Sequence, residues 1–237
     1  MTLESWPRRV AALGQFRVED PSAPMLEPGD EHHLRTVLRA RDGEEVVVGD
    51  GRGAWSIAVV TSSGLQRVSD VVVDERGVET TLYLAPLKGD RSEWAVAKAT
   101  ELGVTRIVPL LSQRVIVKMK GETRDKIVAR WRRIAAEASG QCRRTYDLVV
   151  GDPVPAVEVP ADVAVADFGG SANWHDIRAV AIGPEGGWAP GEWGVDRPRV
   201  GLGPSVLRAE TAALAAATIM AFATGSWGFT LRGDDNR

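Results

Sequence analysis

The chain has 237 residues, of which 44% are hydrophobic and 26% charged. That length supports one large domain or two small ones, and the single Cys142 excludes an internal disulfide framework. No apolar run could span a membrane, the N-terminus lacks a signal-peptide core, and the three histidines show no zinc spacing, so we expect a soluble cytoplasmic protein without a metal.

The formal net charge is −3, but the charges are unevenly distributed along the chain. Residues 76–150 carry 15 basic and 8 acidic residues, a balance of +7. The segments on either side, 1–75 and 151–237, each have a balance of −5. A local basic zone is typical of a surface that binds phosphates, although part of it, in residues 124–133, also fits a solvated helix face.

The N-terminal third is predicted to be a small β-domain. Residues 1–20 show no helical period, and we expect a strand near the start. Asp30 can cap a short helix over residues 31–38, whose inward-facing residues would be Leu34, Val37 and Leu38. Short strands joined by hairpins predict a β-barrel of about 70 residues, with strands over residues 45–48 and 54–60 and one or two more within residues 65–73.

From residue 80 the pattern changes to alternating strands and helices, which predicts a parallel sheet. Ser92 is expected to cap a helix over residues 92–102, with Trp94, Ala97 and Leu102 on its apolar side. The clearest helix covers residues 124–139, and an alanine-rich helix covers 208–224. The expected strands cover residues 81–85, 104–110, 147–150, 163–166, 179–182 and 200–202. A loop with Gly169 and Gly170 is expected over residues 165–174.

Two of these strands run into glycine turns, which are expected to end adjacent strands. Residues 183–187 read Gly-Pro-Glu-Gly-Gly, and residues 201–203 read Gly-Leu-Gly. Ligands in open α/β sheets bind beyond the carboxyl ends of strands, and glycines let the backbone approach a ligand closely. Glycine-proline turns are usually only turns, and neither loop is a phosphate-binding fingerprint. Their joint occurrence favours a site that binds a base through backbone hydrogen bonds.

The glycine loop at 183–187 with Glu192, followed by Leu202-Gly203 and residues 207–212, resembles the signature of the ribosomal RNA small-subunit methyltransferase E family. This family lies within the SPOUT superfamily of knotted methyltransferases, and the resemblance covers nearly the whole chain. It implies a trefoil-knotted SPOUT domain with a mostly parallel sheet over residues 76–237. It also implies an N-terminal PUA-like RNA-binding β-barrel over residues 1–75.

The resemblance further implies methylation of N3 of a uridine in 16S ribosomal RNA by a homodimer that pairs through residues 208–224. The expected cofactor is S-adenosylmethionine, bound by Ile182, Gly183, Pro184, Glu185, Gly186, Gly187, Leu202, Gly203, Leu207, Arg208 and Thr211. Two departures from the family pattern are Trp188, where a Phe is usual, and a missing Pro shortly after Arg144.

Uridine N3 carries a proton, so methylation needs a base or a cation that stabilises the anion. The catalytic candidates are Arg208, Glu185 and Glu210. Glu101 is a further carboxylate, and the sequence does not choose a base among the three acids. Glu210 equally fits a charge that complements the helix dipole. Cys142 could suggest covalent catalysis, but packing is the more ordinary role, and nitrogen methylation needs no adduct.

Arginines and a lysine are expected to bind the RNA, since guanidinium groups bind phosphate well. Those expected to contact it are Arg8, Arg35, Arg39, Lys88, Arg91, Arg114, Arg143 and Arg144. His32 and His33 fit either an RNA contact or a partly buried pair at the helix.

The expected partner is small-subunit ribosomal RNA or the 30S subunit. Two other functions stay open: methylation of transfer RNA or another rRNA position, and a non-catalytic RNA-binding assembly factor. The PUA-like start favours the ribosomal family, and the intact glycine loops argue against a relic pocket.

Overall fold

A computed structural model describes residues 6–116 and 121–225 of the chain. The described chain forms two compact units: Met1–Arg76 with Ala136–Asp147, and Gly77–Ala135 with Leu148–Arg237. The boundary expected near residue 75 did not anticipate that residues 136–147 return to the first unit. Within the described ranges, no helix has both the length and the apolar character needed to cross a bilayer.

The first unit is built on a mixed five-stranded sheet. Strand β1 is parallel to β2, and the other pairings are antiparallel, in the order β1-β2-β3-β4 with β5 also paired to β3. The elements are α1 Trp6–Ala11, β1 Gln15–Arg17, α2 Pro28–His32, β2 Glu45–Gly49, β3 Ala54–Thr61, β4 Gly64–Arg67 and β5 Val72–Val73. The predicted strands are confirmed, whereas α1 was not predicted.

The helix predicted over residues 31–38 differs from the one observed. Helix α2 begins at Pro28, a residue suited to the first helical turn, and Asp30 is not its cap. A π-helical turn follows over His33–Val37. Leu34 is fully buried, but Val37 is 60% exposed, so its predicted inward direction is wrong. The wider π turn changes the angular spacing on which that prediction depended.

A buried polar network holds residues 136–147 in the first unit. The Nη1 atom of Arg9 lies 3.2 Å from Oδ2 of Asp74, and both side chains are almost wholly buried. Arg9 also donates to the carbonyl oxygen of Arg143. The hydroxyl of Thr145 donates to the same Asp74 carboxylate over 2.9 Å. A buried ion pair and hydrogen bonds therefore attach the returning segment to the rest of the first unit.

The second unit is an α/β fold around seven strands, and every pairing among them is parallel. The strand order is β12-β10-β11-β6-β7-β8, with β9 also on β7. The elements are β6 Thr81–Leu84, α3 Arg91–Glu101, β7 Arg106–Leu111, α4 Gly121–Gln141, β8 Val149–Val150, β9 Val154–Pro155, β10 Ala164–Ser171, β11 Ala179–Ile182, β12 Arg199–Val200 and α5 Ala209–Ala223. The predicted parallel sheet is confirmed, and the knot stays a prediction.

The glycine pair that predicted a loop lies in a strand instead. Strand β10 continues to Ser171 beside β12. A Cβ atom on Gly170 would lie 2.4 Å from the carbonyl carbon of Val200, so glycine permits close approach of the two backbones. Because β10 lies between β11 and β12, the two glycine loops do not end adjacent strands, contrary to the sequence-based expectation.

Helix α3 buries a different face from the one predicted. Trp94 is 47% exposed, whereas Ala95, Val96 and Ala99 are fully buried where α3 packs on α5. Ser92 does not cap the helix, since its buried hydroxyl oxygen accepts the N–H of Leu87 over 2.7 Å. Small residues on both helices allow this close packing, and the large Trp94 misled the sequence-based prediction.

The two helices with the strongest sequence signals are confirmed. Helix α4 contributes Val128, Trp131 and Ala135 to the main core of the second unit. Helix α5 contributes Ala213, Ala216, Ala217 and Met220 to the same core. The core of the second unit therefore lies between the sheet and helices α4 and α5. Packing of α5 in this core holds the first turn of the helix near the strand ends that form the site.

Candidate functional site

A pocket of about 540 Å³ lies in the second unit, beyond the carboxyl ends of β11 and β12 and beside the middle of β10. Its walls come from the middle of β10, the loop after β11, the segment between β12 and α5, and the first turns of α3 and α5. We call it the glycine-loop pocket. The predicted cofactor residues that line it are Ile182, Gly183, Pro184, Glu185, Gly187, Leu202, Gly203, Leu207 and Arg208.

Two predicted residues, Gly186 and Thr211, are not among the pocket's lining residues. The carbonyl of Gly186 instead accepts a hydrogen bond from Nη1 of Arg114 over 3.1 Å. The middle of β10 adds Ala166, Asp167 and Phe168 to the pocket wall, and these were missed. They were missed because a loop was predicted over residues 165–174, whereas the strand continues to Ser171.

The pocket combines backbone groups with apolar side chains. Gly203 has a φ of 111°, a conformation that side-chain-bearing residues rarely adopt, and it leaves this part of the wall open. Leu202 and Leu207 are partly buried at the same wall. Such a surface suits a flat, partly apolar ligand whose polar edge bonds to the backbone.

Arg91 connects three of the elements around the pocket. Its Nη2 atom lies 2.8 Å from Oε1 of Glu185, and its Nη1 atom lies 3.8 Å from Oε2 of Glu210. The backbone N–H of Lys88 also donates to Oε1 of Glu185 over 3.1 Å. Arg91 was predicted to contact phosphate. Its ion pairs hold it in the pocket wall, and its phosphate contact stays a prediction.

The Glu185 carboxylate is held in its ionised form. Burial alone would raise its pKa, but hydrogen bonds from the backbone N–H groups of Glu185 and Lys88, with the charges of Arg91 and Lys88, outweigh that effect. The net pKa lies below the ordinary value for a glutamate. Glu185 is therefore a stable negative charge in the pocket wall and a weak proton acceptor.

Glu192, which formed part of the sequence signature, fixes the loop after β11 from outside the pocket. Only 9% of its surface is exposed. Its Oε1 atom accepts the N–H of Gln113 over 2.8 Å, and its Oε2 atom accepts the N–H of Ala189 over 2.9 Å. The carboxylate thus ties the segment after β7 to the loop.

A second pocket, of about 360 Å³, adjoins the first. We call it the tryptophan pocket, and its lining residues are Arg114, Asp167, Trp188, Ala189, Pro190, Gly191, Trp193 and Arg199. The Trp188 and Trp193 rings meet edge to face with centroids 5.1 Å apart. Asp167 and Trp188 line both pockets, so the two pockets meet at these residues.

The remaining basic candidates are distributed over both units. Arg8 pairs with Glu45, Arg35 pairs with Glu31 and Asp42, and Arg39 is exposed, all in the first unit. Lys88 and Arg114 are exposed in the second unit. Their RNA contacts stay predictions.

Arg143 and Arg144 are bound within the first unit. Arg143 donates to the carbonyl of Ala12 over 2.7 Å, and Arg144 donates to the carbonyl of Tyr146 over 3.0 Å. Burial lowers the pKa of both guanidinium groups. These bonds give the pair a structural role, and phosphate binding by them stays a prediction.

The other candidates named from the sequence are not among the lining residues of either pocket. Glu101 pairs with Lys98 over 2.7 Å on α3. Cys142 is partly buried and lies in the first unit, where His32 and His33 are exposed. Among residues 6–116 and 121–225, no three side chains of the metal-binding types come together.

Comparison with known proteins gives two family matches. An RNA methyltransferase domain matches residues 74–221, and an RNA methyltransferase PUA domain matches residues 28–69. The chain is 32% identical to ribosomal RNA small subunit methyltransferase E of Mycobacterium bovis, covering 88% of this chain and 90% of that protein. It is 29% identical to the protein of the same name from Bacillus subtilis, covering 94% and 97%.

Solved structures give the same similarity. The chain resembles ribosomal RNA small subunit methyltransferase E from Neisseria gonorrhoeae, bound to S-adenosylmethionine, with a TM-score of 0.72 and 28% identity over 90% of this chain and 98% of that one. A Legionella pneumophila structure in complex with the same cofactor matches with a TM-score of 0.75 and 27% identity, over 87% and 96%.

Proposed function

Because this chain belongs to the ribosomal RNA small subunit methyltransferase E family, we propose that it methylates N3 of a specific uridine in 16S ribosomal RNA. The methyl donor is S-adenosylmethionine, the cofactor bound to the Neisseria gonorrhoeae relative. The observation that carries the proposal is the glycine-loop pocket, where backbone, apolar and anionic groups meet.

The residues of this pocket fit the cofactor. Leu202 and Leu207 offer apolar surface for the adenine ring, and the backbone around Gly183 and Gly203 can bond to its polar edge. Glu185 adds a negative charge that is ionised at neutral pH, which suits a positively charged sulfonium. When bound, the cofactor supplies an electrophilic methyl group.

The chain's own residues then act on the acceptor base. Arg208 lines the pocket at the start of α5, and we assign its guanidinium the role of stabilising negative charge that develops on the uracil ring. Glu185 serves as a fixed charge, and its depressed pKa argues against a role as the base. Glu210 helps to hold Arg91 and complements the dipole of α5.

The proposed function is tested with the purified protein and small-subunit RNA or 30S subunits from a strain that lacks the activity. We expect calorimetry to show binding of S-adenosylmethionine, and nucleoside mass spectrometry to show N3-methyluridine at one position. Transfer RNA serves as the competing substrate. Methylation of transfer RNA alone, or cofactor binding without methylation of either RNA, would refute the proposal.

We further propose that residues 1–75 form a PUA-like module that orients the RNA, and that residues 76–237 form the SPOUT catalytic domain. Homodimerisation through residues 208–224 is part of this proposal, since α5 presents a partly buried row of small and apolar residues beside its core face. A ribosomal substrate implies action in the cytoplasm. Sedimentation at working concentration tests the dimer, and a fully active monomer would contradict it.

A further inference from the structure

The tryptophan pocket has no part in the proposed cofactor site. It nevertheless shares Asp167 and Trp188 with the glycine-loop pocket, so the two pockets meet at these residues and ligands in both would contact them. Methyl transfer requires an acceptor atom next to the methyl donor. A pocket that adjoins the cofactor site through shared residues meets this geometric requirement.

The lining of the tryptophan pocket suits a nucleotide. Trp188 is partly exposed and provides aromatic surface on which a base can stack, and the buried Trp193 supports its ring edge to face. Arg114 and Arg199 provide guanidinium groups, and both residues are exposed. The bond from Arg114 to the carbonyl of Gly186 holds the first of these at the pocket. Aromatic rings next to arginines are the usual means of binding an unstacked nucleotide of RNA.

One carboxylate belongs to both pockets. Asp167 lines both, whereas Glu185 lines only the glycine-loop pocket, and neither Glu101 nor Glu210 is a lining residue of either. Two contacts fix the Asp167 side chain: an ion pair between its Oδ2 atom and Arg199, and a hydrogen bond of 2.9 Å from the N–H of Phe168 to its Oδ1 atom. It is the acid best placed to meet an acceptor base.

We propose that the tryptophan pocket is the acceptor subsite, where the target uridine stacks on Trp188, its phosphate bonds to Arg114, and its N3–H faces Asp167. This inference rests on the proposed function. Asp167 takes the N3 proton, and the electron pair left on N3 forms the bond to the methyl carbon. The bond from that carbon to sulfur breaks, and its electrons stay on sulfur.

The first test fills the pocket with Ala189→Leu, because Ala189 lines the tryptophan pocket but not the glycine-loop pocket. Ala161→Leu, at an exposed position that lines neither, is the matched control. We expect Ala189→Leu to lower single-turnover methylation of small-subunit RNA by about 100-fold. Calorimetry should show unchanged S-adenosylmethionine affinity, and the control should match the wild type.

Two results would overturn the subsite. One is methylation by Ala189→Leu at the wild-type rate. The other is a loss of cofactor affinity that accounts for the whole effect, which would show that the tryptophan pocket belongs to the cofactor site. A wild-type protein that binds cofactor but methylates no small-subunit RNA would instead refute the proposed function itself.

The second test is Asp167→Asn, which removes the charge and keeps the shape. We expect its methylation rate at neutral pH to fall by roughly 100-fold and to recover as pH rises, because hydroxide then ionises N3 without a protein base. Asp152→Asn is the control, since Asp152 forms an ion pair of 3.0 Å with Arg132 but lines neither pocket. A loss that is the same at every pH would show that Asp167 only supports the wall.

Discussion

In the first unit, Arg9 and Arg17 donate hydrogen bonds to residues of the 143–147 segment. In the second unit, Arg91 forms an ion pair with Glu185 at a pocket wall, and Arg114 is exposed. The same residue type thus makes buried structure in one unit and shapes a binding site in the other. A count of charges along the sequence cannot separate these uses. Within residues 76–150, Arg91, Arg143 and Arg144 already bond to protein groups, so the balance of +7 overstates the charge available to RNA.

The largest effect is expected from Arg9→Met, which would leave Asp74 buried without its cation. Removing one partner of a buried ion pair costs about 3–5 kcal/mol, and urea unfolding measures it. Arg8→Met is the control, because the Arg8–Glu45 pair is exposed by 47% and 34% and should contribute less than about 1 kcal/mol. Equal losses in the two variants would show that the Arg9 network is not structural.

In the second unit, Arg91→Gln should weaken cofactor binding. Charge-assisted hydrogen bonds contribute about 1.5–3 kcal/mol, so we expect S-adenosylmethionine affinity to fall by roughly 10- to 100-fold. Arg130→Gln is the control, because it removes a 2.7 Å ion pair between α4 and Glu93 of α3, the helix that carries Arg91, and it should leave the affinity unchanged. The sequence assigned Arg91 to RNA phosphate, and this measurement tests whether it also supports the cofactor site.

The pH dependence sharpens the same prediction. The pKa of Glu185 is depressed, so its charged interactions are present at neutral pH and are lost as pH falls through that lowered pKa. Removing Arg91 takes away a charge that lowers the pKa, and the loss should then begin at a higher pH. Calorimetry across the acidic range checks this, and identical pH profiles for wild type and Arg91→Gln would contradict it.

Gly203→Ala tests what the backbone of the pocket contributes to cofactor binding, apart from the charged groups. Gly203 has a φ of 111°, so a Cβ atom there adds about 1–3 kcal/mol of strain. We expect lower cofactor affinity and a lower melting temperature. Gly186→Ala should change neither, because its Cβ atom would make only an ordinary contact, 3.4 Å from Cβ of Arg114. The sequence predicted that both glycines bind the cofactor. A loss of cofactor affinity in Gly186→Ala would support that prediction for Gly186.

The sequence predicted the elements that have a local signal, namely a hydrophobic period or a glycine turn. Helices α4 and α5 and strand β11 are confirmed. Most residues of the loop after β11 line the glycine-loop pocket. The wall supplied by Ala166–Phe168 was hidden because Gly169 and Gly170 predict a turn, whereas Gly170 permits strand contact with Val200. Long-range polar contacts, such as Arg9 with Asp74, have no local signal, so the return of residues 136–147 to the first unit could not be predicted.

The smallest expected effect is on the salt dependence of RNA binding, and it compares exposed arginines of the two units. Arg114 is the guanidinium that we expect to bind phosphate at the tryptophan pocket, whereas Arg35 already pairs with Glu31 and Asp42 in the first unit. Each lost phosphate contact lowers the slope of log affinity against log salt by about one unit. Arg114→Gln should therefore flatten the salt dependence of RNA binding by about that amount and leave cofactor affinity unchanged.

The matched variant is Arg35→Gln with Arg39→Gln, which should change the salt slope less and reduce methylation of the true target more than non-specific binding. Exposed Arg39 contributes weakly to phosphate attraction because the first 75 residues carry a net charge of −5. RNA affinity measured against salt concentration for both variants decides between them. A larger slope change in the N-terminal pair would show that phosphate attraction comes mainly from the first unit.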